Sequence, residues 1–87
     1  MLMASRKPEK VFRIGYVTAS VFTREVDTDD GGKKTLRSVN VQKRYMDGDE
    51  VKYTSSFGLA ELPQALRVLQ LATSYVEQQE ATVALSE

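Results

Sequence analysis

Tyr16, Thr18, Ser20, Phe22 and Arg24 alternate along one stretch of this chain, Ser38, Asn40, Gln42 and Arg44 along a second, and Lys52, Thr54 and Ser56 along a third. Residues spaced by two share one face of an extended strand, so the three rows predict one sheet face that mixes rings, amides, hydroxyls and cations. Flat rings offer stacking surfaces to unpaired bases, and cations and neutral donors suit phosphates; the chemistry available to such a face is the binding of single-stranded nucleic acid. Tyr16 and Phe22 are the expected stacking platforms. Arg13, Arg24, Arg44 and Lys52 are the expected phosphate contacts, with Asn40, Gln42 and Thr54 between them. Arg44 opposite Lys52 would be a like-charge cross-strand pair that a bound anion relieves. The plain rival is a solvated face, where Ser, Thr, Asn and Lys are ordinary, or an interface between copies.

Other chemistry finds little to work with. The 87 residues contain no histidine and no cysteine, which removes the commonest general base, the commonest metal ligand and the best nucleophile. Catalysis is not expected, nor a cofactor, a resident metal or a small-molecule substrate. The run Asp27–Lys34, DTDDGGKK, resembles the start of a calcium loop, but its twelfth position is Ser38 rather than a bidentate glutamate, so it reads as a solvated turn. No glycine-rich phosphate loop is present, the glycines standing at turns and at a break in a strand.

The elements that must position the polar face are legible in outline. Asp47-Gly48 separates two alternating runs, Ser38–Met46 and Val51–Phe57, and predicts a hairpin. A loop over Asp47–Asp49 or Met46–Glu50 pairs Tyr45 with Val51, Lys43 with Tyr53, Val41 with Ser55 and Val39 with Phe57. It places Arg44 opposite Lys52, Gln42 opposite Thr54 and Asn40 opposite Ser56. A two-residue Asp47-Gly48 turn is rejected because it sets the valines against Ser56 and Thr54. Upstream, Phe12 and Ile14 are apolar on even positions whereas Val17, Ala19 and Val21 are apolar on odd ones. The change of parity at Gly15 predicts either two strands or one bent strand. After Gly58 the period becomes helical, with Leu59, Leu62, Leu66, Leu69, Thr73 and Val76 forming a stripe widened by Ala65, Val68, Ala72 and Tyr75. Pro63 belongs near the start of that helix, over 59–79.

The expected fold is therefore α+β: an antiparallel three- to four-stranded meander followed by one long C-terminal helix packed on one sheet face. Val17, Ala19, Val21, Val39, Val41, Val51, Tyr53 and Phe57 should be buried against Leu62, Leu66, Leu69, Ala72 and Val76. Residues 1–9 read as a mobile arm, 10–80 as the single domain and 81–87 as a flexible tail. A core this small and open strand edges predict a homodimer. Twelve basic and twelve acidic residues cancel overall, but residues 1–57 carry +3 and residues 58–87 carry −3, so the sheet half is the basic half. No signal peptide or membrane span is evident in the sequence, and the expected setting is the cytoplasm.

RIGYVTASVF (Arg13–Phe22), VNVQKRYMDGDEVKYTSSFG (Val39–Gly58) and the leucine-rich helix that follows resemble a group of small bacterial proteins of unassigned role. Through them the chain is similar to the single-stranded-DNA-binding fold of the Whirly proteins and the eukaryotic transcriptional positive cofactor 4. The matching positions are Arg13, Ile14, Gly15, Phe22, Asn40, Arg44, Tyr45, Asp47, Gly48, Ser56, Phe57 and Gly58, and the likeness covers about three quarters of the chain. It implies antiparallel strands followed by a helix, dimers built through helix and sheet edges, and strand faces or loops that contact the DNA backbone and bases, in transcription or DNA maintenance. Leu59-Ala60 stands where that pattern has charged residues, so no ligand contact is carried over there. The rival class is a protein-interaction or structural module that recruits a partner through an open strand edge.

Overall fold

Residues 7–85 are described by the structure, a computed structural model. Four strands, β1 (Lys10–Ile14), β2 (Val17–Asp27), β3 (Lys33–Asp47) and β4 (Glu50–Thr54), precede one helix, α1 (Leu62–Leu85). All neighbours pair antiparallel in the order β1-β2-β3-β4, an α+β meander with the helix on one face. Of the arm expected at 1–9, residues 1–6 lie outside the described residues. Glu9 is anchored, its N–H donating to Val21 O at 2.6 Å. The helix continues through Ala81 to Leu85, into the stretch expected as a tail.

The parity change at Gly15 is a hairpin, so Val11–Gly15 supplies a separate strand. Ile14 pairs with Val17 across the two-residue turn Gly15-Tyr16, and Gly15 sits at φ 61°. A glycine at positive φ in the first central position is the signature of a II′ turn, whose twist matches the strands it joins. Gly48 repeats the device at φ 64° between Asp47 and Glu50. The two glycines differ in surroundings. A Cβ at Gly15 would stand 3.1 Å from Gln64 Oε1 of the helix, whereas one at Gly48 meets nothing within 4 Å. Both changes to alanine carry the left-handed backbone cost of about 1–2 kcal/mol. Gly15→Ala should lower the urea midpoint more than Gly48→Ala, because it must also displace Gln64.

The second hairpin corrects the expected register. Asp47 pairs with Glu50, so Met46 faces Val51, Tyr45 faces Lys52, Arg44 faces Tyr53 and Lys43 faces Thr54. The turn is Gly48-Asp49, one residue later than the rejected two-residue turn, and it reverses the parity of β4. Val51 and Tyr53, expected inside, are 48% and 61% exposed. The strand also ends at Thr54, so the expected pairs Gln42–Thr54 and Asn40–Ser56 do not form. Alternation could not settle this register, because the helix lies across β1, β2 and β3 and does not reach β4. With no core over β4, neither parity is rewarded.

Val17, Ala19 and Val21 of β2 meet Val68 and Ala72 of α1, all with no exposed surface, and Phe12, Ile14, Val39, Val41, Phe57, Ala65, Tyr75 and Val76 surround them. The even parity of Phe12 and Ile14 and the odd parity of β2 thus reach one core. The helix is rotated from its expected face: Leu62, Leu66 and Leu69 are 48%, 59% and 43% exposed, and the narrower residues of the stripe pack on the sheet. Valine and alanine let the helix approach a sheet already thickened by β-branched side chains; leucine on that line would hold it away. Gly58 and Glu61 start the helix. Leu62 N–H donates to Gly58 O at 3.0 Å, and the Glu61 carboxylate accepts the Gly58 N–H at 2.7 Å, half of a capping box.

Candidate nucleic-acid interface

Paired residues in a sheet share a face, and the burial of Val17, Ala19 and Val21 identifies the helix side. The outer face then carries Val11 with Ser20, Arg13 with Thr18, Thr18 with Gln42, Ser20 with Asn40, Phe22 with Ser38, Arg24 with Leu36, and Val26 with Lys34. Arg44 with Tyr53 and Met46 with Val51 complete it. No carboxylate stands among these strand residues. Glu25, Asp27, Asp47 and Glu50 all fall on the helix side by the same register.

The cations of the two faces are used differently. On the helix side Lys33 pairs with Asp27 at 3.2 Å, Lys43 with Glu61 at 3.2 Å, and Arg37 grips both oxygens of Glu9 at 2.9 and 3.2 Å. Lys52 reaches Asp47 at 2.9 Å and Glu50 at 3.8 Å. On the outer face Arg13, Arg24, Lys34 and Arg44 are exposed and have no carboxylate partner among the described residues. Arg13 Nε donates to Thr18 Oγ1 at 3.5 Å, and the Arg44 guanidinium lies 5.5 Å from the centre of the Tyr16 ring. Stacking on a ring orients a guanidinium without neutralising it.

Of the nine residues expected to form the site, seven share this face or its margin. Arg13, Phe22, Arg24, Asn40, Gln42 and Arg44 stand on it, and Tyr16 flanks it from the β1–β2 turn rather than from a strand, its carbonyl accepting the Arg44 N–H at 2.9 Å. Lys52 and Thr54 lie on the opposite face, so the expected Arg44–Lys52 pair does not exist. Tyr53 takes that place opposite Arg44, a residue that sequence reasoning assigned to the core. The signal that could have found it was Gly48 as first residue of a two-residue loop. Arg13, Thr18, Arg44 and Tyr53 border two shallow depressions of about 140 and 150 Å³, one reaching Tyr16 and the other reaching Ser20, Asn40 and Gln42. Polar side chains and one aromatic wall thus run continuously across β1, β2, β3 and β4.

The hairpin tip carries no free cluster of carboxylates. Asp30 accepts from Thr28 Oγ1 and from the Gly32 N–H at 3.1 Å, and these bonds hold its carboxyl below the usual range. At the opposite edge the Arg37 hydrogen bonds and charge hold Glu9 below the usual carboxylate value against a desolvation that opposes them, with Tyr75 adding a smaller lowering effect. A folded-state pKa below the unfolded one stabilises the native state above the unfolded value of about 4.3 and is lost as pH falls through the lower one. The urea midpoint should therefore fall below that pH, and Glu9→Gln should make the fall shallower while lowering the midpoint at neutral pH.

Set against known proteins, the chain matches no family model, no curated sequence and no solved structure. The class defined by fold and face is that of a four-stranded antiparallel sheet backed by one helix, its other face bearing no carboxylate among the described strand residues. Among the described residues no helix is long and apolar enough to cross a membrane.

Proposed function

We propose that this protein binds single-stranded nucleic acid, DNA in the first instance, on the outer face of its sheet, as a homodimer and with weak dependence on sequence. The observation that carries the reading is the division of charge between the two faces. Four exposed cations without carboxylate partners among the described residues share the outer face with Phe22 and Tyr53, beside Tyr16, while the carboxylates of the strands lie behind it. A polyanion approaching from that side meets no acidic side chain of the strands, which reconciles a net charge of zero with an anionic ligand. Asn40 and Gln42 offer donors and acceptors to base edges without favouring one base. The resemblance read from the motifs Arg13–Phe22 and Val39–Gly58 implies the same class of ligand.

Fluorescence anisotropy with a labelled oligo-dT tests it. Binding should be measurable at low salt and weaken as salt rises, with log K falling at a slope near −0.7 per phosphate neutralised. No binding at about 50 mM salt, where counterion release strongly favours association, would end the reading.

A further inference from the structure

β3 outruns the β1–β2 turn. Arg44 N–H donates to Tyr16 O at the turn itself, and residues two apart on a strand aim their N–H and C=O the same way, so Met46 aims both groups into the space beyond it. β4 takes the other edge of β3 here, and on the turn side no backbone group meets Met46 among the described residues. The start of α1 roofs that space, with Glu61 on Lys43 and Gln64 against Gly15. The result is a cleft of about 440 Å³ walled by Tyr16, Tyr45, Met46, Glu61 and Gln64, inside the roughly 300–1,000 Å³ range of small-molecule sites.

Charge decides what can enter. The Lys43 ammonium is held by Glu61 Oε1 at 3.2 Å, and the same oxygen accepts the Gly58 N–H at 2.7 Å, so Oε2 has no partner among the described residues. The Gly58 N–H above all, and then Lys43, hold this carboxyl below the usual range, and an ionised carboxylate can only accept. It repels a phosphate and suits a neutral planar group that donates. Tyr16 and Tyr45 supply rings against which such a group can stack. Of the DNA bases, guanine sets two neighbouring donors, N1–H and the 2-amino group, beside a carbonyl acceptor on one edge. Adenine, cytosine and thymine would each turn a lone pair toward a carboxylate placed for that edge, and an unpaired lone pair against a charge is what rejects a wrong ligand.

We infer that the cleft between the β1–β2 turn, the end of β3 and the start of α1 holds one unpaired guanine, its N1–H and 2-amino group donating to Glu61 and its O6 accepting the Met46 N–H. Tyr16 and Arg44 line both this cleft and the outer-face depression of about 140 Å³, so a strand lying on that face passes its next base around them into the cleft. The inference rests on the proposed single-strand binding for the strand that delivers the base. It adds one selected base to a contact otherwise indifferent to sequence.

Two titrations test it. Oligo-dT carrying one central dG should bind roughly tenfold more tightly than oligo-dT alone, the discrimination of one paired base edge. Deoxyinosine in that place, which lacks the 2-amino group, should lose most of the gain, and dA should give none. Glu61→Gln, which keeps an acceptor for the Gly58 N–H, should bind oligo-dT as the wild type does and lose the dG gain. In amide spectra of the isotope-labelled chain, free guanosine monophosphate at ~1 mM, enough to half-fill a site of millimolar Kd, should shift Met46, Ala60 and Gln64 and leave Asn40 in place. Adenosine monophosphate should leave all four in place. Equal affinity for dG, deoxyinosine and dA, a dG gain that survives Glu61→Gln, or equal shifts with the two nucleotides would overturn the guanine site while oligo-dT binding stood. Cleft shifts with guanosine monophosphate in a chain that does not bind oligo-dT would uphold the site and end the single-strand reading.

Discussion

Val68→Asp should unfold this domain and Leu66→Asp should leave it folded, although the two residues lie two apart on one helix and both belong to the apolar stripe read from the sequence. Val68 has no exposed surface and meets Val17, Ala19, Val21 and Ala72, so an aspartate there is a buried charge with no partner. Such a charge costs several kcal/mol, as much as the roughly 3–5 kcal/mol that a core of this size supplies. Leu66 is 59% exposed, and an aspartate there keeps its hydration. Its cost is the poorer helix propensity, about 0.5 kcal/mol. Far-UV circular dichroism and urea titration separate the outcomes. A folded Val68→Asp protein beside an unfolded Leu66→Asp protein would mean that the helix presents its other flank to the sheet.

The second large effect concerns ligand binding and uses the corrected register. Tyr53→Ala should weaken oligo-dT binding by about 1–3 kcal/mol, roughly 5- to 150-fold, and leave the salt slope unchanged, because a stacked ring releases no counterions. Arg44→Ala should weaken binding and flatten the slope by about 0.7, the share of one phosphate. Lys52→Ala, one residue from Tyr53 and two places along the chain from Glu50, should bind like the wild type. Its ammonium lies on the helix side, held by Asp47 at 2.9 Å. Comparable losses at Lys52 and Arg44 would place the ligand on the rim of the sheet rather than on its outer face. Phe22→Ala should behave as Tyr53→Ala does, since Phe22 stands on the same face, paired with Ser38 six residues along β3 from Arg44.

Much of the architecture followed from local pattern. The order of strands and helix, the break at Gly15 and the start of the helix near Pro63 are each specified by a few adjacent residues, through turn stereochemistry and hydrophobic period. The alternation along β2 and β3 was legible for the same reason: Val17, Ala19 and Val21 on one side and Thr18, Ser20 and Phe22 on the other are separated by burial under the helix. That alone brought Phe22, Arg24, Asn40, Gln42 and Arg44 to one face, and the hairpin at Gly15 added Arg13.

Tertiary structure decided what local pattern left degenerate. The stripe on the helix is wider than the sheet needs, and its period does not say which flank turns inward. The approach distance to a sheet of valines chose Ala65, Val68 and Ala72 and left the longer leucines outside. The register of β4 was likewise undetermined by alternation, because a strand beyond the reach of the helix gains nothing from either parity; the II′ geometry at Gly48-Asp49 set it instead. That one-residue difference moved Lys52 behind the sheet and brought Tyr53 beside Arg44, since successive side chains of a strand point to opposite faces.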